Sequence, residues 1–129
     1  MEDYDVTVKP KHILVAEDDV DILSLVMAVL EDEGFQVQSS VGADTIKLVR
    51  QQRPDVVLLD YQMPGMDGVQ IARELRADPE TSDIPIVAMS AAGRIEVVCN
   101  EMDANGCLGK PFDIEELVRV VDRLTHLTH

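Results

Sequence analysis

The chain has 129 residues, a length that suits one compact domain; 46% of them are apolar and only 3% are aromatic, so the core must be aliphatic. Its 25 acidic and 11 basic residues give a formal net charge of −14, which repels nucleic-acid phosphates and anionic membrane surfaces. We therefore expect neither DNA nor a membrane surface to be a partner.

The beginning of the chain, residues 1–10, is predicted to be a short extension ahead of the domain. The stretch Met1–Lys11 is acidic and polar, and it lacks the basic start and the apolar run of a signal peptide. No segment has enough consecutive apolar residues to span a membrane. We therefore expect a cytoplasmic protein in which Cys99 and Cys107 are buried, reduced thiols and not a disulfide.

Short apolar runs alternate with longer amphipathic stretches along the chain. Three runs, Ile13–Ala16, Val56–Leu59 and Ile86–Met89, are apolar at consecutive positions, as expected for parallel strands covered by helices on both faces. In chain order, the predicted strands are His12–Ala16, Phe35–Ser39, Asp55–Leu59, Ile84–Met89 and Cys107–Gly109.

Helices are predicted between these strands. The first has an apolar stripe from Ile22 to Leu30, and Gly34 is placed to end it. The last has a stripe from Ile114 to Leu124, with Asp113 as its N-cap and Glu116 at the spacing of a capping box. The remaining helices are predicted at roughly Ala43–Gln52, Val69–Ala77 and Ile95–Ala104.

Five strand–helix repeats predict an α/β fold, a doubly wound five-stranded parallel sheet with right-handed crossovers. We assign it to residues 11–125, which leaves residues 126–129 as a C-terminal tail. Ligands of such sheets bind beyond the carboxyl ends of the strands, where the strand order reverses. Residues at the strand ends are therefore the first candidates for a functional site.

Three adjacent acids, Glu17, Asp18 and Asp19, follow the first strand. Because like charges at a partly buried position repel one another, such a cluster usually needs a compensating cation. Hard oxygen ligands suit Mg²⁺, which binds one or two carboxylates together with phosphate oxygens. In the alternative reading, Asp19 only caps the helix that begins near Val20.

Polar residues also end the third, fourth and fifth strands. Asp60 could attack phosphorus if a cation offsets the charge repulsion, although a single Asp at this place is often a loop or cap residue. Ser90 offers a hydroxyl, and Lys110 offers an ammonium group unless it is an ordinary surface lysine. Together these groups are what phosphoryl transfer requires: a nucleophile, a metal site and donors to the phosphoryl oxygens.

Three segments resemble the receiver domain of two-component response regulators: Ile13–Asp19, Asp60–Gly68 and Gly109–Phe112. The middle segment places an Asp four residues before Pro64-Gly65 and seven before Asp67-Gly68. The resemblance extends over about residues 11–125. It implies a flavodoxin-like (βα)5 fold with five helices and the strand order 2-1-3-4-5.

The resemblance also implies roles for individual residues. Asp60 would be the phosphoacceptor, and Mg²⁺ would bind at the acidic pair Glu17 and Asp18, at Asp60 and at the backbone carbonyl of Gln62. Ser90 and Lys110 would hold the phosphoryl oxygens, and the peptide bond between Lys110 and Pro111 would be cis.

A conformational switch is implied as well, in which the Ser90 hydroxyl moves toward the phosphoryl group and an aromatic side chain on the fifth strand turns inward. Cys107 occupies that aromatic position here. A thiol cannot fill the same volume, so the usual coupling between phosphorylation and surface change should be altered.

The expected partners follow from the resemblance. A histidine kinase or phosphotransfer protein would supply the phosphoryl group, and the domain would catalyse its own phosphorylation and dephosphorylation. We expect no output domain to follow, so the domain would signal through contacts with a downstream protein target or as a homodimer. The principal alternative is a receiver-like interaction scaffold that never needs phosphorylation.

A third class comprises flavin-binding proteins and small hydrolases on the same sheet. A flavin phosphate would need a loop rich in Gly, Ser or Thr where the three acids stand. An Asp-dependent phosphatase commonly has an acid two residues after its nucleophile, where this chain has Gln62.

Overall fold

Strands and helices alternate through the whole described part of the chain, which is residues 10–126 of a computed structural model. The strands are β1 (His12–Ala16), β2 (Gln36–Ser40), β3 (Val56–Asp60), β4 (Ile86–Ala91) and β5 (Gly106–Lys110). The helices are α1 (Val20–Asp32), α2 (Asp44–Gln52), α3 (Gly68–Ala77), α4 (Ile95–Glu101) and α5 (Ile114–His126), with a 3₁₀ turn at Ala92–Arg94.

All strand pairs are parallel, and the sheet order is β2-β1-β3-β4-β5. The predicted fold class and strand order are therefore confirmed. The order reverses between β1 and β3, so a crevice opens beyond the carboxyl ends of these two strands. The predicted domain limits stay predictions, since most of the extension and of the tail lies outside the described residues.

The central strands are buried on both faces, as their continuous apolar sequence predicts. Along β3, Val57 and Leu59 pack in the cluster under α2, α3 and α4, whereas Val56 and Leu58 pack in the cluster under α1 and α5. Alternate residues of one strand thus contribute to two separate hydrophobic layers. This double burial holds the ends of β1 and β3 in fixed positions.

Two helices, α1 and α5, begin at the capping residues predicted for them. Asp19 caps α1, because its Oδ1 accepts hydrogen bonds from the backbone amides of Asp21 and Ile22 at 3.0 and 3.1 Å. At α5, the Glu116 amide donates to Asp113 Oδ1 and the Asp113 amide donates to Glu116 Oε1, at 2.8 and 3.2 Å. The carboxylate of Asp19, one of the three acids after β1, thus binds the start of α1.

One helix is shorter than predicted. The sequence predicted α4 to continue to Ala104, but it ends at Glu101. Asp103 adopts a left-handed conformation with φ of 51°, which cannot continue a right-handed helix. The chain therefore turns into β5 earlier than its apolar pattern suggested.

The expectation of two reduced, buried thiols is wrong. Cys99 in α4 and Cys107 in β5 form a disulfide, with their Cα atoms 6.0 Å apart. Cys107 is also exposed, while Cys99 is half-buried. The two residues lie in different elements, and they meet because α4 packs back on β5. This packing was not visible in the cysteine spacing alone.

Among residues 10–126, no helix combines the length and the apolar character needed to cross a bilayer.

Candidate functional site

The carboxyl ends of β1, β3, β4 and β5 open into one cavity. Six of the predicted site residues contribute to its walls, and Cys107 is not among the described residues that do so. The six residues are Glu17, Asp18, Asp60, Gln62, Ser90 and Lys110. The sheet therefore brings together side chains that are up to 93 positions apart in the sequence.

Lys110 connects two carboxylates from two other strand ends. Its Nζ donates to Glu17 Oε1 and to Asp60 Oδ1, both at 2.8 Å. The peptide bond from Lys110 to Pro111 is cis, as the resemblance implied. Lys110 is therefore not an ordinary solvated lysine but the cation between two buried acids.

The pKa of Lys110 is raised above its ordinary value. Burial by itself lowers this pKa, but the hydrogen bonds to Asp60 and Glu17, together with the negative charges of both, outweigh burial. The ammonium group therefore keeps its proton at neutral pH. It supplies a permanent positive charge to the cavity.

Asp60 is the last residue of β3, and only 4% of it is exposed. Burial raises its pKa from 3.8 to about 6, and the charges of Glu17 and Asp18 add to this effect, whereas Lys110 opposes it. Asp60 is thus ionised at pH 7.5, but its ionisation costs more free energy in the folded protein than in the unfolded chain. An added cation would relieve the cost.

This pKa predicts a pH-dependent stability of the metal-free protein. Because the folded pKa of Asp60 is raised, the stability that the protonated carboxyl provides is present below about pH 4 and is lost as pH rises through about 6. Asp60→Asn, which cannot ionise, should therefore increase the free energy of unfolding at pH 7.5 by about 1–2 kcal/mol. Urea unfolding in a chelating buffer would measure it.

The increase in the free energy of unfolding of Asp60→Asn should vanish near pH 4, where the Asp60 carboxyl of the parent protein is largely protonated. Asp113→Asn is the matched control, because Asp113 is an exposed N-cap outside the cavity and Asn is also a good N-cap residue. An Asp60→Asn protein equally stabilised at both pH values, or destabilised at pH 7.5, would contradict the prediction.

The acids also form a candidate cation site. Glu17, Asp18 and Asp60 each offer one carboxylate oxygen, and these oxygens lie within 4.8 Å of one another. Glu17 and Asp60 are buried, whereas Asp18 is exposed and leaves the group open to solvent. Lys110 supplies one positive charge to three carboxylates, so this oxygen-rich set fits a hard divalent cation that keeps part of its water shell.

β4 and β5 supply two further polar residues of the cavity, Ser90 and Lys110. In the strand register, Met89 lies opposite Asp60, so Ser90 lies one residue beyond it toward the cavity. Ser90 itself lies opposite Gly109, the neighbour of Lys110. The hydroxyl and the ammonium group therefore come from two neighbouring strands, β4 and β5, on the same side of β3.

Sequence reasoning missed a second cation at the cavity, Arg94. Its guanidinium carbon lies 5.3 Å from the centroid of the Tyr61 ring, within the range of a cation–π contact. Both residues line the cavity, and Tyr61 directly follows Asp60. The two side chains are 33 positions apart, and neither carries a local motif that could have predicted the contact.

Close packing of α3 fixes the backbone at Asp60. The Gly68 amide donates to the Tyr61 carbonyl at 2.9 Å, and a Cβ at Gly68 would overlap the Asp60 carbonyl oxygen and lie 3.1 Å from Tyr61 Cα. Only glycine fits here without moving the backbone.

Gly68→Ala should therefore lower the free energy of unfolding by about 1–3 kcal/mol, the usual effect of overpacking. Urea denaturation would measure this change. Gly93→Ala is the matched control, since a Cβ at Gly93 meets nothing within 4 Å. Equal effects of the two substitutions would contradict the account of the close contact.

Comparison with known proteins points to one family. The model of the response regulator receiver domain matches residues 13–122. Protein PilH of Pseudomonas aeruginosa is 36% identical over 114 residues, which cover 86% of this chain and 94% of PilH. A putative response regulator from Chloroflexus aurantiacus has a similar structure, with a TM-score of 0.87, 30% identity and coverage of 92% of this chain and 99% of that one.

Some relatives are longer proteins. The DNA-binding dual master transcriptional regulator RpaA of Synechocystis is 39% identical over 120 residues, which cover 91% of this chain but 50% of RpaA. The chain thus spans about half the length of this curated relative.

Proposed function

The chain belongs to the response regulator receiver family of two-component signalling, and on that premise we propose that Asp60 accepts one phosphoryl group in a Mg²⁺-dependent reaction. The proposal rests on one observation above all, the convergence of Asp60 with Lys110 and the acidic pair Glu17 and Asp18 in a single cavity. A candidate nucleophile, a permanent cation and a candidate metal site are together there.

In the proposed reaction, a carboxylate oxygen of Asp60 forms a bond to phosphorus as the bond from phosphorus to the donor's nitrogen or oxygen breaks. The electron pair of the broken bond leaves with the donor, and the product is an acyl phosphate. Bound Mg²⁺ would offset negative charge on the phosphoryl oxygens. Glu17, Asp18, Asp60 and the carbonyl of Gln62 are the groups that would hold it.

The remaining polar groups of the cavity would bind the phosphoryl oxygens. Lys110 Nζ, now 2.8 Å from Asp60 Oδ1, stands where a negative oxygen on a modified Asp60 would attract it. Ser90 can donate its hydroxyl from the neighbouring strand. Both groups act by position and charge, since phosphoryl transfer leaves the protein little covalent work besides the attack by Asp60.

Partners are part of the proposal. A histidine kinase or a phosphotransfer protein would donate the phosphoryl group, and a downstream protein would bind the phosphorylated form. RpaA is named as DNA-binding, but only about half of it corresponds to this chain. The net charge of −14 argues against DNA contact by this domain itself. A homodimer and a cytoplasmic location stay predictions.

The alternatives find no specific support. A scaffold that never accepts phosphate would have no use for a buried Asp60 paired with Lys110. A flavin phosphate would meet Glu17 and Asp18 at the end of β1, where the charge is of the wrong sign.

The decisive experiment is incubation with a small phosphodonor, such as phosphoramidate, followed by intact mass measurement. With Mg²⁺ we expect a single acid-stable, base-labile phosphoryl adduct, and with a chelator we expect none. Mg²⁺ alone should also raise the unfolding midpoint at pH 7.5, because it relieves the repulsion among the three carboxylates.

Restoring Mg²⁺ after chelation is the control for damage by the chelator. Two outcomes would refute the proposal: equal adduct formation in the chelator, or no adduct in a folded protein at a Mg²⁺ concentration that shifts its unfolding midpoint. The second outcome would leave the interaction scaffold as the better function.

A further inference from the structure

The disulfide between Cys99 and Cys107 lies beside the candidate site but not in it. Cys107 is on β5, three residues before Lys110, and Cys99 is on α4, whose preceding turn follows Ser90. The bond therefore ties together two elements that continue directly into the walls of the cavity. Its loop is short, because the two cysteines are 8 positions apart.

The two cysteine residues differ in their exposure to solvent. Cys107 is exposed, whereas Cys99 is half-buried against the core cluster under α4. Cys107 is therefore the residue at which we expect a thiolate from solution to attack, with the Cys99 sulfur as the leaving group. Access of this kind distinguishes exchangeable disulfides from those enclosed in a core.

The fold does not depend on the bond for its core. Val98 of α4 and Met102, which directly follows the helix, are 0% and 1% exposed and pack in the cluster shared with β4. The helix itself is only seven residues long and has no side-chain cap at Arg94. Such a helix has little stability of its own, so a bond to β5 should strongly limit its opening.

We propose that Cys99 and Cys107 form a reversible thiol–disulfide site, through which a low-molecular-weight disulfide such as glutathione disulfide fastens α4 to β5. The inference goes beyond phosphorylation and does not depend on it. It gives this domain a redox input on the α4–β5 face, separate from the input at Asp60.

Both directions of the reaction balance as two thiol–disulfide exchanges. In reduction, a glutathione thiolate bonds to Cys107 Sγ, the bond between the two protein sulfurs breaks, and Cys99 leaves as a thiolate that takes a proton. A second glutathione thiolate then attacks the glutathione sulfur of the mixed disulfide, which releases Cys107 and glutathione disulfide. Oxidation is the reverse, so two electrons pass between the protein dithiol and glutathione.

The test begins with the native protein in buffers of varied ratio of reduced to oxidised glutathione. After acid quenching and alkylation, intact mass should show a single reversible transition between no alkylated thiol and two. Asp60→Asn should give the same transition, so failure of this site and failure of phosphorylation are separately visible. A disulfide reducible only in denaturant, or thiols that stay free at every ratio, would overturn the proposal.

Hydrogen exchange then tests the consequence for α4. In the reduced form, the amides of α4 should exchange faster by on the order of tenfold to a hundredfold, while those of β1 and β3 stay unchanged. The double variant Cys99→Ser, Cys107→Ser should match the reduced form in both redox buffers. Equal exchange of α4 in the oxidised and reduced forms would refute the claim that the bond fastens this helix.

Discussion

Asp60→Asn should abolish phosphoryl uptake from a small phosphodonor completely, even with saturating Mg²⁺. The amide of Asn keeps the shape of the side chain but lacks the negative oxygen that, in the proposed reaction, would attack phosphorus. Because the exchange is nearly isosteric, and because removal of the buried charge favours folding at neutral pH, the variant should be fully folded. Intact mass after incubation measures the effect directly.

The control for this substitution is Asp113→Asn, an equal chemical change at an exposed helix cap. It should form the adduct at the rate of the parent protein. If Asp60→Asn still gains one phosphoryl group, the acceptor is another residue and the assignment of Asp60 is wrong. Peptide mapping of the adduct would then locate it.

The position of Asp60 could be predicted because hydrophobic patterns and strand ends are both local features. Val56 to Leu59 are four consecutive apolar residues, so the next residue had to emerge at the edge of a buried strand. The same argument placed Glu17 and Lys110 at that edge. What the sequence could not supply was the distance, since the 2.8 Å contacts of Lys110 depend on the order of three strands.

Other features depended on packing between elements and had no local signal. The disulfide formed because α4 lies on β5, although the composition of the chain favoured free thiols. Arg94 reaches Tyr61 only because the turn after β4 lies beside the end of β3. The early end of α4 depends on the left-handed backbone conformation of Asp103. The spacing of apolar residues, from which the helix was predicted, carries no information about that conformation.

The electrostatics of the cavity depend on a balance that one substitution can upset. Three carboxylates converge, and Lys110 donates one hydrogen bond to each of two of them, Glu17 and Asp60. Arg94 lines the same cavity, but it is exposed and its guanidinium lies against the Tyr61 ring, whereas Lys110 is hydrogen-bonded to two of the acids. The two cations should therefore contribute very unequally to phosphoryl transfer and to stability.

Lys110→Met should slow phosphoryl uptake by about 10²–10³-fold, the usual loss when one preorganised donor to a developing charge is removed. It should also lower the free energy of unfolding by about 2–4 kcal/mol at pH 7.5, because Glu17 and Asp60 are left as buried acids without their cation. Rates come from intact mass against time, and stability comes from urea unfolding in a chelating buffer.

Two matched variants sharpen this prediction. Lys47→Met removes an exposed lysine from α2 and should change neither quantity. Arg94→Met removes the exposed cation that lies against Tyr61 and should slow uptake by less than about tenfold. Added Mg²⁺ should recover part of the stability of Lys110→Met, since a divalent ion offsets the same acids, but it should not restore the rate. If Lys110→Met and Arg94→Met slow phosphoryl uptake by the same factor, only the total positive charge of the cavity affects the rate. The hydrogen bonds of Lys110 to Glu17 and Asp60 would then give no additional acceleration.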